Sequence, residues 1–405
     1  MNEARPARRR LLVLSSNYPV AGFALRGLWA ERLTRAASAV AEPVVLVPMP
    51  RLGSWRPARR EPVVPTDVHR ALSGRVVRLR TPPVPFRFLH GFEAALMLPV
   101  VRRAARQLHA ERPLDLLHAH FAFPEGVVAA RLGRELGVPV VVSEHANWSP
   151  WLDRHPAVRR QLVAALPGIA RITAPSRATL ATIRAFAGDA ASLVLLPIPV
   201  DDELFTLDRE GEVDEDRLLF VGMVRHVKGL DVLLRALPEL LASYPRLHLE
   251  VVGTTYERGH TRDERETRAL AVRLGLGERV RFAGGLAPRE VAARMRTSAL
   301  LVLPSRRESF GGVLVEALAC GTPVVATRCG GPEEIVTPEL GNLAEVDDPH
   351  ALAMAIADAL ARRASFLPER LREVAVESYG MATTAARLRA LYDEVLGTGP
   401  AAGAG

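Results

Sequence analysis

Two carboxylates, Glu308 and Glu316, stand 316 − 308 = 8 residues apart on either side of a glycine pair, Gly311 and Gly312. The flanking apolar runs, residues 300–303 and 323–326, predict a buried strand, a polar loop, a short helix and a second strand. Glycine lets backbone approach a ligand closely, and a helix starting there offers unused N–H groups and a positive dipole end to a phosphate or diphosphate. Glu316 lies about one turn inside that helix, and an ionised carboxylate accepts hydrogen bonds only, which suits a pair of sugar hydroxyls. Glu308, before the turn, is placed to hold a second sugar, and Val313 lies beside the helix start. The same spacing also suits a plain connection with two solvated glutamates, and spacing alone leaves both readings open.

The segment resembles the E-x7-E signature of retaining nucleotide-sugar glycosyltransferases of the GT-B fold, specifically family four. Glu308, Phe310, Gly311, Glu316, Ala317, Cys320, Gly321, Pro323, Val324, Gly330, Gly331 and Glu334 fall in order on that family's ESFG…EA…G.PVVA…GG..E pattern. Similarity is strong over residues 218–340 and weaker over 11–200. It implies a donor site that includes Glu308, Phe310, Gly311, Gly312, Val313 and Glu316. After the run 218–221 the chain reads GMVRHVKGLDVLLRAL, similar to a family motif in which an arginine and a lysine neutralise the donor diphosphate. Lys228 and Gly229 match, with Gly222 at the strand end. Met223 takes the arginine's place, and Arg225, two residues on, is the candidate substitute. Gly253 and Gly284, at the ends of the runs 248–252 and 280–282, resemble positions near the nucleotide base, and a structural turn is the plain alternative for Gly284.

On the amino-terminal side, the run 138–142 ends in SEHANW, putting Glu144, His145 and Asn147 at the mouth of a sheet. The resemblance implies that His145 donates a hydrogen bond to the transferred sugar, whereas a structural histidine is the plain alternative. The stretch HAHFAFPEG carries His118 and His120, and His120 either lines an acceptor side together with Asn147 or packs. Gly22, in the loop SSNYPVAGF after the first run, is either a turn glycine or a close-approach point for the donor.

Elements must hold these residues. The 405-residue chain is too long for one core. Apolar runs at 11–14, 44–47, 76–79, 114–117, 138–142, 169–174 and 193–196, then at 218–221, 248–252, 280–282, 300–303 and 324–326, alternate with helical patterns. Alternation of that kind predicts parallel sheets covered on both faces. The expected architecture is α/β, GT-B: two facing Rossmann-like doubly wound domains with a central cleft, where ligands bind beyond the carboxyl ends of the strands. Residues 1–205 form the acceptor-side domain and 206–378 the donor domain. Residues 379–396 form a helix packing back on the first domain, and 397–405 a disordered tail. Residues 51–85, rich in proline and arginine, predict loop around the run 76–79. Residues 92–109 predict a helix with Arg102, Arg103, Arg106 and His109 on one side, suited to solvent or to anionic lipid.

The composition, 48% apolar and 24% charged, is that of a globular protein, and the net charge of +8 favours anionic partners. Two cysteines, Cys320 and Cys329, give neither a disulfide framework nor a zinc site. No apolar run approaches the ~18 residues of a membrane span, and the amino terminus lacks a signal-peptide core, so a cytoplasmic location is expected, with peripheral membrane contact open. The first loop is not G-x-G-x-x-G, which argues against a nicotinamide enzyme. Aromatic residues at 5% with no RNA-binding signature argue against a nucleic-acid partner. The resemblance implies sugar transfer from a UDP- or GDP-linked donor to a hydroxyl of a glycan, lipid-linked glycan or polysaccharide precursor. Retention of configuration is expected, with no metal or other cofactor and with the leaving phosphate taking the acceptor's proton. A sugar-nucleotide epimerase of the same fold and a non-catalytic anion-binding protein are the alternatives.

Overall fold

A computed structural model describes residues 8–19, 27–50, 68–71, 74–82, 91–146, 152–208, 211–253 and 262–398. Gly22, Asn147, residues 399–405 of the tail and most of the proline-rich stretch lie outside them. The chain divides into two compact units: residues 1–198 with 384–405, and residues 199–383. The division falls seven residues before the expected boundary at 205/206, because residues 199–205 are held by the second unit. Val200 N–H donates to Tyr379 O (2.8 Å), and Arg372 donates to the carbonyls of Phe205, Asp202 and Ala319.

The first unit holds β1 (Arg10–Leu14), β2 (Glu42–Pro50), β3 (Val68–Ala71), β4 (Gly74–Thr81), β5 (Leu116–His120), β6 (Val140–Ser143), β7 (Arg171–Ala174) and β8 (Leu193–Leu195). They form one sheet in the order β3-β4-β2-β1-β5-β6-β7-β8. Every pairing is parallel except the β3–β4 edge hairpin. All five residues of β1 and of β5 are buried, as expected for strands covered on both faces. Leu12, Leu46, Leu117, Val142 and Ile172 share one buried hydrophobic cluster with Val128 and Leu132 of the helix Val127–Leu136. Burying each such side chain contributes about 1.5–3 kcal/mol. The helix Met381–Leu396 adds its last residues to this unit, with Tyr392 only 1% exposed.

The second unit holds β9 (Asp214–Val221), β10 (His248–Val252), β11 (Val280–Gly284), β12 (Ser298–Leu303), β13 (Val324–Thr327) and β14 (Gly341–Ala344). The order is β11-β10-β9-β12-β13-β14, all parallel, which is the doubly wound arrangement 3-2-1-4-5-6. One of its helices starts at a side-chain cap. Asp348 accepts from Ala351 N–H (2.9 Å) at the head of Pro349–Ala361, with proline at the first turn.

In each unit the strand order reverses beside the first strand, between β1 and β5 and between β9 and β12. The loops after those strands are therefore neighbours, and any site assembled there combines residues far apart in sequence.

The predicted helix at 92–109 is Glu93–Glu111, with Phe92 exposed at its start. Its basic side is partly neutralised: Arg102 pairs with both oxygens of Glu135 (2.6 and 2.9 Å), and Arg106 reaches the same carboxylate (3.3 Å). Among the described residues no helix is long and apolar enough to cross a membrane.

Candidate functional site

The second unit's switch point is built from two loops. After β9 the chain turns through His226–Lys228 and reaches Gly229, which has φ +66° and starts the helix Leu230–Ser243. A Cβ on Gly229 would run into the carbonyl of Pro304, whose carbon would be 2.8 Å away and whose oxygen would be closer still. Glycine is therefore required where the β9 and β12 loops touch. Arg306 ties them further: its N–H donates to Val227 O (2.8 Å), and its guanidinium forks onto both oxygens of Asp231 (2.8 Å each) and onto Asp347 (2.6 Å).

This geometry brings Lys228 and Glu308, 80 residues apart, into a hydrogen-bonded ion pair, with Ser305 Oγ donating to the same Glu308 oxygen (3.4 Å). The side chains are 22% and 13% exposed, so water still reaches the pair. Glu308 is fixed through its backbone. Its carbonyl accepts from Gly331 N–H (3.1 Å), and its own N–H donates to Cys329 O (3.4 Å). Burial pushes the Cys329 thiol up to about 11, so beside this pair it stays a neutral thiol.

Gly311 (φ +97°) leads into the helix Gly312–Ala319. Leu314, Val315, Ala317, Leu318 and Ala319 are buried, whereas Gly312, Val313 and Glu316 share the half-buried face. The apolar residues anchor the helix and leave the carboxylate and the first amides on the open side. Phe310 differs from its neighbours: it is 3% exposed and packs edge-on against Tyr379 at 5.5 Å. Packed there, the ring anchors the loop that leads into Gly311. Arg225 is exposed in extended backbone just before the Lys228 turn. Gly222, Gly253 and Gly284 stack in a backbone ladder continuing the ends of β9, β10 and β11. Gly222 N–H donates to Val252 O (2.9 Å) and Gly253 N–H to Gly284 O (2.8 Å).

The first unit has a different constellation at its own switch point. His118, His120 and His145 stack at centroid spacings of 5.1 and 5.3 Å, and His120 Nδ1 hydrogen-bonds His145 Nε2 at 3.1 Å. His118 is held by Tyr392 Oη and by Ser143 Oγ (2.8 Å each), and Ser143 meets Thr173 Oγ1 (2.7 Å). Burial depresses His118 to about 4 and His145 to about 3, and His120 well below its usual value, so all three are neutral at pH 7. Neutral imidazole can donate or accept a hydrogen bond but brings no charge.

No local pattern in the chain signals the ring that covers them. Trp29 packs on His145 (4.2 Å), Phe121 (5.0 Å) and His120 (6.0 Å). Phe121 itself sits at φ +71°, a backbone conformation costing about 1–3 kcal/mol that tertiary packing has to impose. Glu144 braces the cluster by accepting from the N–H groups of Ala122, His145 and Ala146 (2.8–3.0 Å). Glu125, fully buried, is also absent from the residues that sequence reasoning picks out. The motif around it is legible, but its burial is not.

Two doubly wound units, each with polar side chains at its switch point, are the parts of a GT-B fold. Sequence comparison agrees. Residues 207–377 match the family described as Glycosyl transferases group 1, and residues 33–204 match Glycosyltransferase Family 4. A relative from Catenulispora acidiphila named D-inositol 3-phosphate glycosyltransferase 1 is 34% identical over 316 residues, 71% of this chain and 74% of the relative. Another, from Mycolicibacterium smegmatis, is named GDP-mannose-dependent alpha-(1-6)-phosphatidylinositol monomannoside mannosyltransferase. It is 32% identical over 73% of this chain and 81% of its own length. Among solved structures, a sucrose-phosphate synthase from Thermosynechococcus elongatus shares the fold with a TM-score of 0.77 at 23% identity, covering 97% of this chain and all of that one. The chain belongs to glycosyltransferase family 4.

Proposed function

We propose that this protein transfers a sugar from a nucleoside diphosphate sugar to an acceptor hydroxyl with retention of anomeric configuration and without a metal. The observation that carries the reading is the Lys228–Glu308 ion pair beside the Gly312–Ala319 helix start, at the switch point of the second unit. Lys228 offers a point charge to the departing diphosphate, and the first amides of the helix offer fixed dipoles to the same group. Glu308 holds hydroxyls of the transferred sugar and Glu316 those of the ribose, each as an acceptor-only group. His145, neutral, donates a hydrogen bond to the sugar without adding charge, and His120 orients it. The leaving phosphate takes the acceptor's proton, so rate enhancement comes from positioning and preorganised electrostatics.

The name of one relative points to a GDP-linked donor, a UDP-linked donor follows from the family resemblance alone, and the relatives' names put phosphorylated inositols among the acceptors worth trying, alongside glycans and lipid-linked glycans. Calorimetry with UDP, GDP and their hexose conjugates tests the donor site. Glu316→Ala, if folded, should weaken nucleotide binding at least tenfold, since hydrogen bonds to a charged group contribute about 1.5–3 kcal/mol. Unchanged affinity would refute the ribose role. The anomeric configuration of the product, read by NMR, tests retention.

A further inference from the structure

We propose that Glu125 is a positioning residue: a buried acid that holds the loop after β1 and thereby seats Trp29 on His145. The inference rests on the proposed role of His145 only for its catalytic consequence. The linkage itself is structural.

Glu125 lies just beyond β5 and is 0% exposed. One of its oxygens, Oε1, accepts from both the N–H (2.9 Å) and the Oγ–H of Ser16, the second residue after β1. Oε2 has no hydrogen-bond partner among the described residues, so the carboxyl's work there is to hold Ser16. Burying a carboxyl for two bonds to one residue is costly, and burial pushes it up to about 7.

The grip on Ser16 is passed along the chain to the first helix. Ser15 Oγ donates to Asn17 O (2.8 Å). That carbonyl lies against Gly27, where a Cβ would sit 2.9 Å from Tyr18 N and closer still to Asn17. Gly27, at φ +68°, is the cap from which the helix Leu28–Ala37 starts, and its carbonyl accepts from Ala30 and Glu31 N–H (3.0 and 3.2 Å). Trp29 is the second residue of that helix, so its position over His145, Phe121 and His120 is set by Gly27, hence by Asn17, and hence by the hold on Ser16. Glu144 fixes His145 from the other side through its N–H. Two buried carboxylates thus hold the two halves of one ring contact.

An indole signal reads the contact directly. In protein labelled with ¹⁵N at tryptophan there are four indole signals, from Trp29, Trp55, Trp148 and Trp151, and Trp29→Phe identifies its own. Glu125→Met removes the acceptor while keeping bulk, and Ser16→Ala removes one donor with little threat to folding. Both should move the Trp29 signal selectively, and Glu125→Gln, which still accepts from Ser16, should restore it. Turnover of UDP-glucose or GDP-mannose, with water as the acceptor, should fall about tenfold in kcat with Glu125→Met, the loss expected when one hydrogen bond to the sugar is misplaced. KM for the sugar nucleotide and affinity for UDP or GDP should stay unchanged. A Trp29 signal that stays put in Ser16→Ala and in folded Glu125→Met overturns the proposal, as does a loss expressed in nucleotide affinity. If the wild-type protein neither binds nor turns over a sugar nucleotide, the functional reading fails while the indole signal still decides the linkage.

Discussion

Gly229 offers a quantitative test of how the β9 and β12 loops are joined, because the same unit contains its control. Gly229 and Gly275 have nearly equal backbone conformations, φ +66° and +69°, but nothing lies within 4 Å of a Cβ built on Gly275, whereas one on Gly229 would overlap the Pro304 carbonyl. Alanine at either position costs about 1–2 kcal/mol for the left-handed conformation. At Gly275 that is the whole effect. At Gly229 the β9 and β12 loops must also part by roughly 1.5 Å to restore ordinary contact, and Lys228 lies on one loop with Glu308 on the other. Misplacement on that scale costs about 10²-fold in rate. Denaturant melts and sugar-nucleotide turnover on the two variants separate these terms. Gly275→Ala should lose stability only, and Gly229→Ala both stability and about two orders of magnitude in kcat/KM. Equal turnover by the two variants would refute the claim that the glycine contact sets the ion pair.

The charges lead to two further outcomes. Lys228→Met leaves the Glu308 carboxylate, 13% exposed, without its counterion, and should cost about 2 kcal/mol of stability as well as most of the activity. Adding Glu308→Gln should recover the stability but not the activity, and a double variant no more stable than the single one would contradict the pairing. The buried histidines bind fewer protons folded than unfolded. Stability should therefore be undiminished above about pH 6.5 and lost as pH falls through 6.5 toward 4, where His118 alone, lowered from 6.5 to about 4, accounts for about 3 kcal/mol. Glu125 acts in the opposite sense. It is raised from 4.5 to about 7, so its contribution is present below 4.5 and lost as pH rises through 7. Glu125→Gln should remove that second dependence, which urea titrations of both proteins between pH 5 and 8 would detect.

Buried parallel strands announce themselves as apolar runs, so each of the twelve runs in the sequence corresponds to a strand. The two strands that escape, β3 and β14, lack the signal. Val68–Ala71 carries His69 and Arg70 in four residues, and Gly341–Ala344 has only Leu343 and Ala344 as apolar residues. The residues proposed for the donor side stand out in the sequence because one short helix and its flanking loops carry most of them, so order along the chain reflects proximity in space. The amino-terminal cluster does not. Trp29, His118, His145 and Tyr392 meet only because β1, β5 and β6 are neighbours in the sheet and the last helix returns to it. Nothing local encodes such pairings. Phe310 lies in the same legible motif, but that its ring packs edge-on against Tyr379 is set by the fold and not by the motif.

Both units solve one geometrical problem in the same way. A loop leaving the first strand has to be joined to something rigid before a side chain on it can be held to the tolerance that chemistry needs. In the second unit Gly229 (φ +66°) caps the first helix and lies on the carbonyl of Pro304; in the first, Gly27 (φ +68°) caps the first helix and lies on the carbonyl of Asn17. Each junction is so close that no side chain fits, and each lies next to a buried or half-buried carboxylate, Glu308 or Glu125, that grips the same loop. The difference is what the carboxylate holds. Glu308 takes a lysine and remains reachable by water, whereas Glu125, itself fully buried, takes a serine. The same junction thus presents charge in one unit and neutral rings in the other, as expected if the first serves a diphosphate and the second an uncharged sugar.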